Sequence, residues 1–133
     1  MRYLLDTNII SDFIHDPKGR VARCIRQVGK QAVFTSVIVA AELRFGVSKN
    51  PSLRLEKRVE EALQALEVAP FENPADVTYA AIRANLEKNG SPIGGNDLFI
   101  AAHALTLGAT LVTANESEFA RVEGLKCENW LAE

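Results

Sequence analysis

Four short stretches of this chain put carboxylates where a folded protein could use them. Leu5-Asp6-Thr7-Asn8 follows a short apolar run and leads into a new apolar segment, so Asp6 falls at the carboxyl edge of a buried strand. In Ala41-Glu42-Leu43 the acid is embedded among Val39, Ala40 and Phe45, and Glu is seldom found in apolar company without a partner. Gly95-Asn96-Asp97-Leu98 opens a strongly apolar helix with Asn96 as a possible cap and Asp97 in the first turn. Asn115 to Glu118 follows a strand ending at Thr113; Asn115 and Glu118 either face a common crevice or cap the short helix that contains Phe119. Plainer readings exist for the others too: an N-cap for Asp6-Thr7-Asn8, a surface ion pair for Glu42, and compensation of the helix dipole for Asp97.

If these acids meet, their chemistry is constrained. Three or four carboxylates within a few ångström raise one another's pKa and cannot all stay ionised unaided. A cation resolves the conflict. With oxygen ligands alone and no thiolate or imidazole set, that cation is hard, Mg²⁺ or Mn²⁺, which polarises phosphoryl oxygens and activates water. Phosphodiester hydrolysis fits best. His15 and His103 lack a second ligand at metal spacing and read as packed or partnered histidines. Cys24 and Cys127, without CxxC spacing, read as reduced, mostly buried small hydrophobes.

Positioning these acids needs strands that alternate with helices. Strands are expected at Tyr3–Leu5, Gln31–Thr35, Glu67–Ala69, Thr110–Thr113 and around Lys126–Glu128. Helices are expected over Ile9–His15, Val21–Val28 ended by Gly29, Val37–Val47 capped by Ser36, Leu53–Leu66 capped by Ser52, a stretch opened by Asn73-Pro74, and Leu98–Leu107. The helix carrying Glu42 looks apolar nearly all round, and Trp130 should cover the core. The pattern predicts a three-layer α/β/α fold around a mostly parallel sheet of four to five strands, with Asp6 and the Asn115–Glu118 segment leaving neighbouring strand ends.

The 133 residues, 47% of them hydrophobic, suit one domain spanning 1–133. No stretch is long and apolar enough for a membrane span or a signal peptide, so a soluble, cytoplasmic chain is expected. A net charge of −2 excludes a general basic coat, yet Pro17 to Ala41 contains no acid and carries Arg23, Arg26 and Lys30, spaced to share one helix face and offered as RNA phosphate contacts. An aspartyl-nucleophile phosphatase would want a second Asp where Asn8 stands, and a phospho-acceptor receiver domain lacks its acidic pair and Lys.

Taken together, Leu5-Asp6-Thr7-Asn8, Ala41-Glu42-Leu43 with Gly46, Gly95-Asn96-Asp97-Leu98-Phe99-Ile100-Ala101-Ala102, and Thr113-Ala114-Asn115 with Glu118-Phe119 resemble a PIN-domain ribonuclease, more narrowly a VapC-type toxin of a toxin–antitoxin pair. The resemblance covers essentially the whole chain. It implies that Asp6, Glu42 and Asp97 bind a divalent metal, with Glu118 as the favoured fourth acid and Asn115 beside it, and that Thr7, Asn8, Asn96 and Thr113 orient them. It further implies an RNA substrate, in some relatives tRNA, a homodimer, and a VapB-type antitoxin whose C-terminal segment lies across the site in a toxin–antitoxin hetero-oligomer. A PIN fold that only binds RNA or protein, without catalysis, is the alternative.

Overall fold

The central strands are short runs buried along nearly their whole length because they are covered on both faces, which removes the alternation expected of a half-exposed sheet, while the two edge strands stay partly exposed. The computed structural model describes residues 1–132. Five strands, β1 (Tyr3–Leu5), β2 (Val33–Ser36), β3 (Glu67–Ala69), β4 (Thr110–Val112) and β5 (Cys127–Glu128), pair in parallel in the order β3-β2-β1-β4-β5. The helices between them are α1 (Thr7–His15), α2 (Arg20–Val28), α3 (Val37–Lys49), α4 (Leu53–Ala65), α5 (Ala75–Lys88), α6 (Gly95–Thr106) and α7 (Glu116–Phe119). The chain steps from β1 outward to β2 and β3, then crosses by α5 and α6 to lay β4 on the other flank of β1. Strand order thus reverses at β1/β4. Loops leaving two such strands diverge, and the crevice beyond their carboxyl ends is where open α/β sheets bind ligands.

Leu4, Leu5, Ile9, Ile10, Phe34, Ile100, Leu111, Val112 and Phe119 form the centre of the core, none more than 1% exposed. Each contributes about 1.5–3 kcal/mol by leaving water. Helix α6 is the most deeply seated, with Leu98, Ile100, Ala101, Ala102, His103 and Ala104 all buried. Its run of alanines lets the backbone approach its neighbours closely. Trp130 is buried against Tyr3, ring centroids 5.5 Å apart.

Several boundaries differ from the sequence expectation, each for a local reason. Helix α1 starts at Thr7 because the Asp6 side chain caps it, accepting from the Thr7 amide. The second strand begins at Val33, since Lys30–Ala32 form a single 3-10 turn after Gly29, whose φ of +96° stops α2. Pro74 is the N-cap of α5 and Ala75 its first residue. Helix α3 is one-sided: Val39, Ala40 and Leu43 face the core, but Val37 and Phe45 are exposed at 40% and 67%. Among the described residues no helix is long and apolar enough to cross a membrane.

Candidate active site

Asp6 ends β1, is 3% exposed, and has both carboxylate oxygens engaged. Oδ1 accepts from the Thr7 amide at 2.8 Å, and Oδ2 accepts from the Thr113 hydroxyl at 2.7 Å. Its own amide donates to the Val112 carbonyl at 2.9 Å, locking it to the end of β4. Burial pushes the Asp6 carboxyl above the usual range; the bonds from Thr113 and Thr7 oppose that, and the charges of Glu42 and Glu118 add to it. Asp6 is therefore helix cap and crevice acid at once, because a cap at a strand's carboxyl edge occupies the same place as a ligand.

Glu42 reaches the crevice from α3. One oxygen accepts from the Thr7 hydroxyl and the other from the Asn96 side-chain amide at 3.2 Å. The surface ion pair considered for it falls instead to Arg44, which grips Glu60 at 2.9 Å. Asn96 does not cap α6 as expected: the N-cap is Gly94, and Asn96 lies in the first turn, turned toward Glu42. Gly94 has no side chain to cap with, and the Glu118 carboxylate accepts from its amide at 3.1 Å, so α7 supplies the missing cap.

Asp97, one residue beyond Asn96, is the most perturbed acid. Its carboxyl is pushed up to about 7, first by burial, then by the charge of and hydrogen bond to Glu118, then by Asp6 and Glu42. A carboxyl raised this far keeps its proton up to near neutral pH, which relieves the crowding of negative charge around it. Around these acids, the Asn8 side chain accepts from the Ala114 amide at 3.1 Å and the Thr113 hydroxyl accepts from the Asn115 amide at 3.1 Å, tying the loop after β4 to the loop after β1. Asn115 itself is exposed and its side chain makes no cap bond to α7.

The fold thus brings Asp6, Glu42, Asp97 and Glu118 to one crevice with Thr7, Asn8, Asn96, Thr113 and the Asn115 backbone around them. Among the described residues, though, no three Asp, Glu, His or Cys side chains already form a metal cage. Asp6, Glu42 and Glu118 are each held on hydroxyl or amide donors, whereas Asp97 faces Glu118. A cleft of about 200 Å³ opens beside Thr7 and Glu42, walled by Ser11 and His15 and floored by Leu43, Val47 and Val59. The basic stripe is shorter than expected. Arg23 and Arg26 are exposed at i, i+3 on α2, whereas Lys30 lies past Gly29 in the 3-10 turn and does not continue that helix face.

Cys24 and Cys127 are unpaired and half-buried, more accessible than expected. Burial, with Glu116 and Asp6 nearby, pushes the Cys127 thiol up to about 11, which keeps it protonated and unreactive. His103 is partnered: its Nδ1 lies 2.8 Å from the Ser36 hydroxyl. Sequence reasoning left open both this contact and the service of Glu118 as a cap for another helix, since neither partner is near in the chain.

The PIN domain model matches residues 3–125. The chain belongs to the PIN-domain family. Within it, this PIN domain is 38% identical to Ribonuclease VapC2 of Rickettsia felis over 98% of both chains, and 32% identical to the tRNA(fMet)-specific endonuclease VapC of Salmonella typhimurium, again over 98% of each. Its structure is similar to that of VapBC2 from Rickettsia felis bound to a promoter DNA fragment, with a TM-score of 0.91 and 36% identity over 98% of this chain and 99% of that one. It is also similar to VapBC-1 of nontypeable Haemophilus influenzae, with a TM-score of 0.89 and 32% identity over 99% and 100%. The VapC likeness and the α/β/α architecture expected from the sequence are both borne out.

Proposed function

We propose that this PIN domain is a divalent-metal-dependent endoribonuclease, the toxin of a toxin–antitoxin pair, that hydrolyses RNA phosphodiester bonds. The observation that carries the proposal is the placement of four acids around the β1/β4 switch point, Asp6 held by Thr113, Glu42 by Asn96, Glu118 by the Gly94 amide, and Asp97 in the first turn of α6. An all-oxygen donor set in which burial and neighbouring acids raise one carboxyl suits a hard cation, Mg²⁺ or Mn²⁺. Asp6, Glu42, Asp97 and Glu118 are the residues that would hold it. When bound, such an ion neutralises charge on the phosphoryl oxygens of the scissile group.

The protein's own residues do the rest. Thr7 and Thr113 fix Asp6, while Thr7 and Asn96 hold Glu42, so one residue, Thr7, serves both acids, its amide donating to Asp6 and its hydroxyl to Glu42, and keeps their relative position. Asp97, able to hold or release a proton near neutral pH, is placed to accept the proton of the attacking water. Arg23 and Arg26 offer phosphate contacts away from the acids, with Lys30 adding charge from the following turn.

The likeness to VapC chains seen with VapB supports a VapB-type antitoxin as partner, a homodimer and a larger toxin–antitoxin hetero-oligomer, and the relatives named tRNA(fMet)-specific support tRNA as one substrate to test. A cytoplasmic location accords with that role. The deciding experiment is cleavage of total bacterial RNA, and of initiator tRNA separately, by the purified protein with Mg²⁺ or Mn²⁺, beside Asp6→Asn and Asp97→Asn. Wild type should cut and both variants should lose at least 100-fold. Equal rates in all three would leave a PIN fold that binds without catalysis.

A further inference from the structure

Helices α3 and α6 carry Glu42 and Asp97, and they are joined at two heights. At the crevice Asn96 donates to Glu42 in a solvent-exposed contact. Far below, the imidazole of His103 (2% exposed) lies with Nδ1 2.8 Å from the hydroxyl of Ser36 (0% exposed). Ser36 is the last residue of β2 and the N-cap of α3, its hydroxyl accepting from the Ile38 amide at 3.0 Å. The imidazole is wedged edge-on against Phe71, ring centroids 5.3 Å apart, and its buried Nε2 has no hydrogen-bond partner.

These constraints specify the proton positions. The buried imidazole is neutral, as its lowered pKa requires, and the Ser36 hydroxyl, already accepting from the Ile38 amide, has its one hydrogen to give to Nδ1, which leaves the ring proton on Nε2. Nδ1 is then the acceptor and the Ser36 hydroxyl the donor. The Ser36 oxygen accepts from the Ile38 amide and its hydrogen goes to His103, so the start of α3, anchored below by β2, is tied sideways to the middle of α6.

We propose that His103 is a positioning residue for the acid crevice, acting through Ser36 to set the angle between α3 and α6 and hence the separation of Glu42 from Asp97. Glu42 lies six residues beyond Ser36 and Asp97 six residues before His103, about 9 Å along each helix. A tilt of about 10° at the buried contact moves an acid at that distance by about 1.5 Å, enough to cost roughly 100-fold where reacting groups must be held in register. The exposed Asn96–Glu42 bond alone cannot resist such a tilt.

The inference rests on the metal-nuclease reading, and the test separates the two. Mn²⁺ binding, followed by water-proton relaxation, and RNA cleavage are measured for wild type, His103→Leu, His103→Gln and Ser36→Ala, each checked for folding by circular dichroism. His103→Leu keeps volume without an acceptor, His103→Gln restores an acceptor, and Ser36→Ala removes one oxygen and leaves the imidazole in place. The Leu and Ala variants should bind Mn²⁺ about 10-fold more weakly and lose kcat with KM for RNA unchanged, and the Gln variant should return to within about 3-fold of wild type. Wild-type Mn²⁺ affinity in folded Ser36→Ala or His103→Leu, or a Gln variant no better than Leu, overturns the positioning role while leaving the nuclease reading intact. Failure of wild type itself to bind Mn²⁺ and cut RNA removes both.

Discussion

Asp97 makes a prediction that runs against the usual effect of deleting a carboxylate in a folded protein. Its carboxyl is raised from 3.8 to about 7, so without metal the folded chain holds a proton that the unfolded chain has already lost throughout that interval. Where the native state binds more protons, stability falls as pH rises; the penalty is absent below about 3.8, grows through the interval and is constant above about 7. From pH 4 to 8.5 the cost has a ceiling of about 4 kcal/mol, and since the side chain is only half buried, solvent screening reduces it to about 1 kcal/mol. In EDTA, urea unfolding should therefore show Asp97→Asn gaining about 1 kcal/mol over wild type at pH 8.5 and nothing near pH 4, and a few millimolar Mn²⁺ should restore the advantage to wild type at pH 8.5. A difference between the two proteins that does not change with pH would refute the argument that Glu118, Asp6 and Glu42 crowd Asp97.

The same geometry makes further predictions. Thr113→Val removes the hydroxyl that donates to Asp6 in a site closed to water, so cleavage should fall about 10–100-fold and stability by about 1–3 kcal/mol; activity within twofold of wild type in the kinetic assay would show that Asp6 is oriented by Thr7 alone. Arg23→Glu with Arg26→Glu should weaken RNA binding most at low salt and flatten its salt dependence, read by fluorescence anisotropy from 50 to 300 mM salt, and unchanged binding at 50 mM would take α2 off the RNA path. In a Cys24→Ser background, Cys127 should react with iodoacetamide at pH 7.5 far more slowly than a free cysteine, because its thiol is held up to about 11; alkylation at the free-cysteine rate would contradict the burial that raises it.

What the sequence made legible, and what it hid, follows from the range of the interactions involved. Strands such as Leu4-Leu5 and Leu111-Val112 announce themselves because covering both faces of a parallel sheet demands unbroken apolar runs, and the turns after them stand out because a backbone leaving such a run needs polar caps. Asp6 was readable for that reason alone. The errors arose where a group from a distant segment took over a local task. Asn96 has the composition of a cap, yet Glu118, 24 residues beyond Gly94, accepts the Gly94 amide, and Asn96 is left free to hold Glu42, 54 residues away. Lys30 has the spacing of a helical neighbour to Arg26, yet Gly29 turns the chain before that spacing can count. Spacing along a chain reports only which side chains a single element can bring together. The crevice is built from contacts that cross elements, and there each acid is defined by its donor: Asp6 by Thr113, Glu42 by Thr7 and Asn96, Glu118 by Gly94. Negative charges held this way stay close enough to raise the Asp97 pKa. The site is in this sense poised by its hydroxyl and amide donors, and substitutions of those donors should perturb it as deeply as substitutions of the acids.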